Sequence, residues 1–217
     1  MADMLKNWES NSNKSIFKAL KEKVIKPPPL KERLSYAIYR LKTQMEALEQ
    51  SGSKMQYQYD KLFKKCTDAV MSKDMERAKI YANECAQTKK MVSIVLQSQF
   101  AIEQVTMRLE TVEEFGDVAV EMAPVANVIA SLKGQLVGVM PEVSYTLGEI
   151  GESLNELAFE SGEATAQPTN IEASSEAAKI LNEAATVAEQ KMKERFPTLP
   201  GTPASDIEKT SESRFAT

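Results

Sequence analysis

The sequence predicts an all-α protein, a long antiparallel helical hairpin followed by shorter helices. Three observations carry the prediction. From Leu34 to Ala69 apolar side chains recur at alternating four- and three-residue spacings, through Leu34, Ile38, Leu41, Met45, Leu48, Met55, Tyr59, Leu62, Cys66 and Ala69. After Met71-Ser72-Lys73-Asp74 the same spacing resumes in Ala78, Tyr81, Cys85, Thr88, Val92, Val95, Gln99, Ile102, Thr106 and Leu109. No segment carries strand alternation, and 8 Gly, 9 Pro and 6% aromatic residues in 217 suit one elongated helical unit with flexible ends.

A period of 3.5 holds one helical seam toward a partner, so the first stripe specifies a helix of about 36 residues, roughly 54 Å long. Only Gly52 interrupts it. The break near residue 72 leaves room for a short turn, which folds the second stripe antiparallel on the first over residues 30–115. Asp74 or Ser72 is positioned to accept from the free amides of the second helix, and Asp74 and Glu76 suit its positive end. Cys66 and Cys85 fall on the seams at different heights, as buried thiols rather than a disulfide.

Residues 1–29 differ in character. Met1, Met4, Leu5 and Trp8, then Ile16, Phe17, Leu20 and Val24, stand at helical spacing, and Lys6, Lys14, Lys18, Lys21, Lys23 and Lys26 outnumber three acids. That pattern fits an amphipathic helix at a membrane interface, with Trp8 at headgroup depth. The candidate membrane-binding residues are Met4, Leu5, Lys6, Trp8, Lys14, Ile16, Phe17, Lys18, Leu20, Lys21 and Lys23. The same face could instead dock on the hairpin. Pro27-Pro28-Pro29 separates this piece from the hairpin, because a prolyl run cannot continue a helix.

Beyond Phe115-Gly116 short helices are expected near 117–133 and 136–160, with Pro124, Gly134, Gly138, Pro141, Gly148 and Gly151 as pliable joints. They could fold back or straighten. Residues 161–170 read as a polar linker, and Thr169 with Glu172 as a capping box for a last helix over 171–195, carrying Ala177, Leu181, Ala184, Ala188 and Met192 on one side. Small side chains bury little area, so this helix is expected to dock reversibly. The tail, 196–217, opens as Phe-Pro-Thr-Leu-Pro-Gly-Thr-Pro and then loses periodicity, so a disordered segment is expected there.

The formal charge of −4 conceals a division. Residues 1–110 hold 20 Lys and Arg against 13 Asp and Glu, and residues 111–217 hold 7 against 18. The acidic half can lie on the basic hairpin of its own chain or of a neighbour, and the hairpin can face anionic lipid. The basic half lacks the aromatic platform or motif of a nucleic-acid binder, so no such partner is expected. The chain has no His, which removes a Ser-His-Asp relay, a Cys-His pair and most zinc sites. No phosphate-binding Gly-rich loop occurs and no carboxylates converge. No enzyme activity, cofactor or metal is expected. No apolar run spans a bilayer, and no secretory signal opens the chain, so a cytoplasmic protein is expected.

The order of these parts, with Ser72 to Met91 at the hairpin turn and Met122 to Leu157 containing Met-Ala-Pro-Val-Ala-Asn-Val-Ile-Ala-Ser-Leu-Lys-Gly-Gln-Leu and Leu-Gly-Glu-Ile-Gly-Glu-Ser-Leu-Asn-Glu-Leu, resembles an ESCRT-III protein. More narrowly it is similar to the archaeal CdvB-type cell-division paralogues over roughly residues 15–200. The resemblance implies a monomer that opens from a closed form, polymerises with itself and with related paralogues on anionic membrane, and constricts a neck at the division site on the inner face of the plasma membrane. It implies a AAA-type ATPase whose MIT domain grips Pro197, Leu199, Pro200 and Pro203, with Thr198 and Gly201 departing from the family's Leu-Pro alternation. It also implies a short form without a winged-helix tail. A different class also fits the hairpin, a soluble coiled-coil adaptor or scaffold that never meets lipid.

Overall fold

The computed structural model describes residues 29–115, 118–160 and 169–196. The chain divides into two compact units, Met1–Arg33 and Leu34–Thr217. The described residues form five α-helices: α1 (Leu30–Met71), α2 (Met75–Phe115), α3 (Val118–Leu136), α4 (Pro141–Glu160) and α5 (Thr169–Arg195).

Helix α1 has 42 residues and α2 has 41, so each arm is about 60 Å long. They pack antiparallel, as their cross-contacts show. Cys66 Sγ lies 3.5 Å from the Ala78 carbonyl, Lys65 Nζ sits 5.8 Å from the Tyr81 ring centre, and Lys42 pairs with Glu110 at 2.6 Å. The two pairs close to the turn are nearly equidistant from it, and the antiparallel order continues out to Lys42 and Glu110.

The turn itself follows from local hydrogen bonding. The Asp74 amide donates to the Ala69 carbonyl at 2.9 Å and the Lys73 amide to the Val70 carbonyl at 3.0 Å, while Lys73 takes a φ of 60°. This is a Schellman stop with a lysine in the left-handed position usually given to glycine. The Arg77 amide then donates to Asp74 Oδ1 at 3.2 Å, so Asp74 both closes α1 and caps α2. Ser72, the other capping candidate, serves α1 instead: its hydroxyl donates to the Asp68 carbonyl at 2.9 Å.

Helix α1 buries a single stripe, which includes Leu34, Ile38, Leu41, Leu48, Tyr59 and Cys66. Helix α2 buries more than the seam expected of it. Leu96, Ser98, Ala101, Val105 and Val112 are also buried, on a second face covered by α3 and α5. Thr88 and Thr106, polar residues on the seam, satisfy their hydroxyls on the carbonyls of Glu84 and Ile102, both at 2.8 Å.

The third and fourth helices end and begin later than the expected 117–133 and 136–160. Gly134 is accommodated within α3, and the break falls at Val137–Met140 because Gly138 and Pro141 end one helix and open the next. Val139 and Met140 amides both donate to the Leu136 carbonyl, at 3.0 and 2.8 Å. The two helices pack closely through small residues of α4. The Ser144 hydroxyl donates to the Lys133 carbonyl at 2.8 Å, Gly148 lies under the Lys133 side chain, and a Cβ on Gly151 would stand 3.3 Å from Ile129 Cγ2. The chain therefore folds back here rather than straightening, and α3 lies against α2.

Candidate assembly interface

Helix α5 lies antiparallel to α2, in contact also with α3. Its buried side chains are Ala177, Ile180, Ala184, Ala188 and Met192. Ile180, not the expected Leu181, carries the stripe, and Leu181 is half-buried beside it. Polar contacts fix the pairing with α2. Arg108 bonds Glu176 at 2.7 Å, and Gln104 donates to Glu183 at 3.3 Å. Toward the other end Lys191 Nζ stands 4.5 Å over the Phe100 ring.

The last described residue corrects the reading of the tail. Phe196, expected to open an unstructured segment, is 4% exposed. Its amide donates to the Met192 carbonyl at 3.0 Å, and its ring meets Tyr59, Cys85, Val92, Leu96, Ala188 and Met192 in one apolar cluster. The spacing held the signal: Phe196 stands four residues after Met192, as Met192 does after Ala188, and so continues the buried face of α5.

Burial governs the acid–base character of this cluster. It pushes the Tyr59 phenol up to about 12, with a further contribution from Cys85, and the Cys85 thiol up to about 11, with help from Cys66. Both cysteines are free and buried. Burial keeps the Cys85 thiol protonated and inert. A second contact between the hairpin and the C-terminal half joins Arg40 of α1 to Glu149 of α4 at 2.5 Å and so holds the Glu149 carboxyl below the usual carboxylate range. Two basic positions of the hairpin, Arg40 and Arg108, thus bind acids of the C-terminal half of the same chain.

The residues proposed for membrane contact, Met4, Leu5, Lys6, Trp8, Lys14, Ile16, Phe17, Lys18, Leu20, Lys21 and Lys23, lie outside the described residues. So do Pro197, Leu199, Pro200 and Pro203, the candidate ATPase grip. Among the described residues no group of His, Cys, Asp and Glu is placed to hold a metal ion, and no helix is long and apolar enough to cross a membrane.

A paired set of long helical arms with a C-terminal helix laid along the second defines the class, an all-α hairpin protein with a docked terminal helix. The chain belongs to the Snf7 family, the ESCRT-III proteins, whose model matches residues 36–207. It is 45% identical to Cell division protein B1 of Sulfolobus acidocaldarius over 197 residues, 90% of this chain and 88% of that protein. Cell division protein B of the same organism is 35% identical over 168 residues, 76% of this chain and 64% of that protein. Cell division protein B3 is 30% identical over 119 residues, 55% of this chain and 69% of that protein. No solved structure matches the chain.

Proposed function

We propose that this chain is a non-enzymatic subunit of an archaeal cell-division machinery that polymerises on anionic membrane at the division site and drives its constriction. The family and the names of the three relatives support the cell-division role. The observation that carries the polymer reading is the docked α5. It covers the second face of α2 with mostly small side chains, and such a helix can be displaced to expose apolar surface for assembly. In this reading the N-terminal lysines meet anionic headgroups while Leu5 and Trp8 insert, other paralogues co-assemble, and an ATPase with an MIT domain removes subunits through the Leu199 region. Charge alone contributes about 1 kcal/mol per lysine at the surface and is screened by salt, so the apolar side chains must retain the protein.

Flotation with anionic liposomes tests the membrane step. Binding is expected to survive moderate salt in the natural chain and to fail when Leu5→Glu is combined with Trp8→Glu. Equal flotation of that variant would reject insertion. Electron micrographs with and without liposomes test the rest, since filaments that form equally without lipid and never coat it would assign the chain to soluble scaffolds. Removing residues 161–217 should promote assembly, and a truncated chain that stays monomeric would count against release of α5 as the trigger.

A further inference from the structure

Two exposed helix faces carry opposite charge at the same spacing. On α1, Lys54, Tyr57, Lys61 and Lys64 recur at three- and four-residue intervals and all face solvent, with Tyr57 66% exposed. On α4, Glu142, Tyr145, Glu149, Glu152, Glu156 and Phe159 recur at the same intervals; Glu149 is half-buried on Arg40, the others face solvent, and Tyr145 and Phe159 are 70% and 72% exposed. Helix α4 holds five Glu and no Lys or Arg in its 20 residues. Among the described residues no ion pair forms on Lys54, Lys61 or Lys64, nor on Glu142 or Glu152.

Lys61 and Lys64 cannot reach the α4 face of their own molecule. Helix α4 touches α1 through Glu149 and Arg40, and Lys54 and Lys64 lie 14 and 24 residues further along α1, about 21 and 36 Å by helical rise. From Glu149 the ends of α4 extend only about 16 Å. We propose that a second copy of this chain seats its Lys54–Lys64 face on the acidic outer face of α4, displaced along the hairpin axis. This rests on the self-assembly proposed above and names the surfaces that mediate it.

Charge complementarity and matched 3.5-residue spacing favour a second copy over lipid. An anionic vesicle would neutralise the lysines but repel α4 and leave Tyr145 and Phe159 uncovered, whereas a neighbouring hairpin covers both faces at once. Because the two patches differ, the contact is heterologous. Each bound copy presents a fresh acidic face on one side and a fresh basic face on the other, so the contact repeats instead of closing as a two-fold dimer.

The test uses two full-length variants, Lys61→Glu with Lys64→Glu, and Glu142→Lys with Glu152→Lys, all at exposed positions. Lys61→Glu with Lys64→Glu reverses the sign of the α1 face, and Glu142→Lys with Glu152→Lys cancels the charge of the α4 face, where Glu149 and Glu156 remain, so each variant alone is expected to lose self-association by about tenfold or more in sedimentation velocity at low salt. An equimolar mixture should regain it, since the acidic α4 of the first variant meets the intact lysines of the second. Circular dichroism confirms folding of each. A mixture that fails to assemble, or variants that assemble like the natural chain, overturns the inference. So does a lysine variant that loses only binding to anionic vesicles while still self-associating. A natural chain that shows no self-association at any salt would instead remove the polymer reading on which the inference rests.

Discussion

The Phe196 ring meets the Tyr59 ring edge-on, with centroids 4.5 Å apart and planes at 78°. Residues 137 positions apart thus form the contact at which the end of α5 is held to the first arm, under the Lys89 ammonium 6.0 Å from the Phe196 ring centre. Edge-to-face aromatic geometry adds to the burial.

Replacing Phe196 with Ala should release that end before it unfolds the hairpin. Deleting a buried phenyl ring costs about 3 kcal/mol, and of α5 only Ala188 and Met192 share the cluster with it. The Cys85 thiol, fully buried beneath this cluster, is the reporter. Its reaction with a thiol reagent under native conditions should accelerate by about a hundredfold or more, as a 3 kcal/mol shift in the opening equilibrium requires. An unchanged rate would mean that Phe196 does not hold the helix end.

The same cluster makes stability depend on alkaline pH. Cys85 and Tyr59 have native pKa values raised to about 11 and about 12 from ordinary values of 9.0 and 10.0. The native state therefore holds these protons more tightly than the unfolded chain. Their contribution is complete below the ordinary values and is lost as pH rises through the raised ones. Urea midpoints should fall between pH 9 and 11 by less in Cys85→Ala than in the natural chain. An equal fall in both would exclude Cys85 as a source.

Lys73 pays for the hairpin turn with a left-handed backbone. Lys73→Gly removes the Cβ clash at a φ of 60°, against a larger entropy loss for glycine, and should stabilise by about 0.5–1 kcal/mol. A higher urea midpoint at unchanged slope is the expected result, and a lower midpoint would show that the Lys73 side chain matters more than its backbone.

Two helical glycines should respond differently to the same substitution. A Cβ on Gly52 would meet Val95 Cγ1 at 3.5 Å, an ordinary contact, beside a cavity of about 140 Å³ between α1, α2 and α5. Gly52→Ala should stabilise by about 1 kcal/mol through helix propensity. At Gly151 the Cβ would stand 3.3 Å from Ile129 Cγ2, so the buried Ile129 side chain must shift by a few tenths of an ångström, at a cost that offsets the propensity gain. Thermal melts of the two variants compare them directly, and equal gains would mean that the close approach at Gly151 is not tight.

The hairpin was legible because its information is local. A 3.5-residue stripe, a short polar break and a second stripe specify two long helices, an antiparallel turn and the residues on the shared seam. Asp74 was readable as a cap from its place alone, whereas the left-handed Lys73 was not, since nothing but hydrogen bonds across the turn imposes it. The membrane residues rest on helical spacing and charge and the ATPase residues on resemblance, and both sets lie outside the described residues. Phe196 reads as tail because a proline follows it, although its spacing from Met192 matches the buried face of α5.

The sequence by itself determined an all-helical chain, the position of its long arms and the opposition of charge between its halves, because periodicity and charge act within a few turns of helix. Tertiary structure decided which faces are shared. Helix α2 became the central element only when α3 and α5 covered its second side, Arg40 found Glu149 and Arg108 found Glu176 out of many possible partners, and Phe196 entered the Tyr59 cluster. Those choices depend on side chains brought together from distant segments, where burial of area and desolvation of charge are set by the packed neighbours and not by the spacing along one helix.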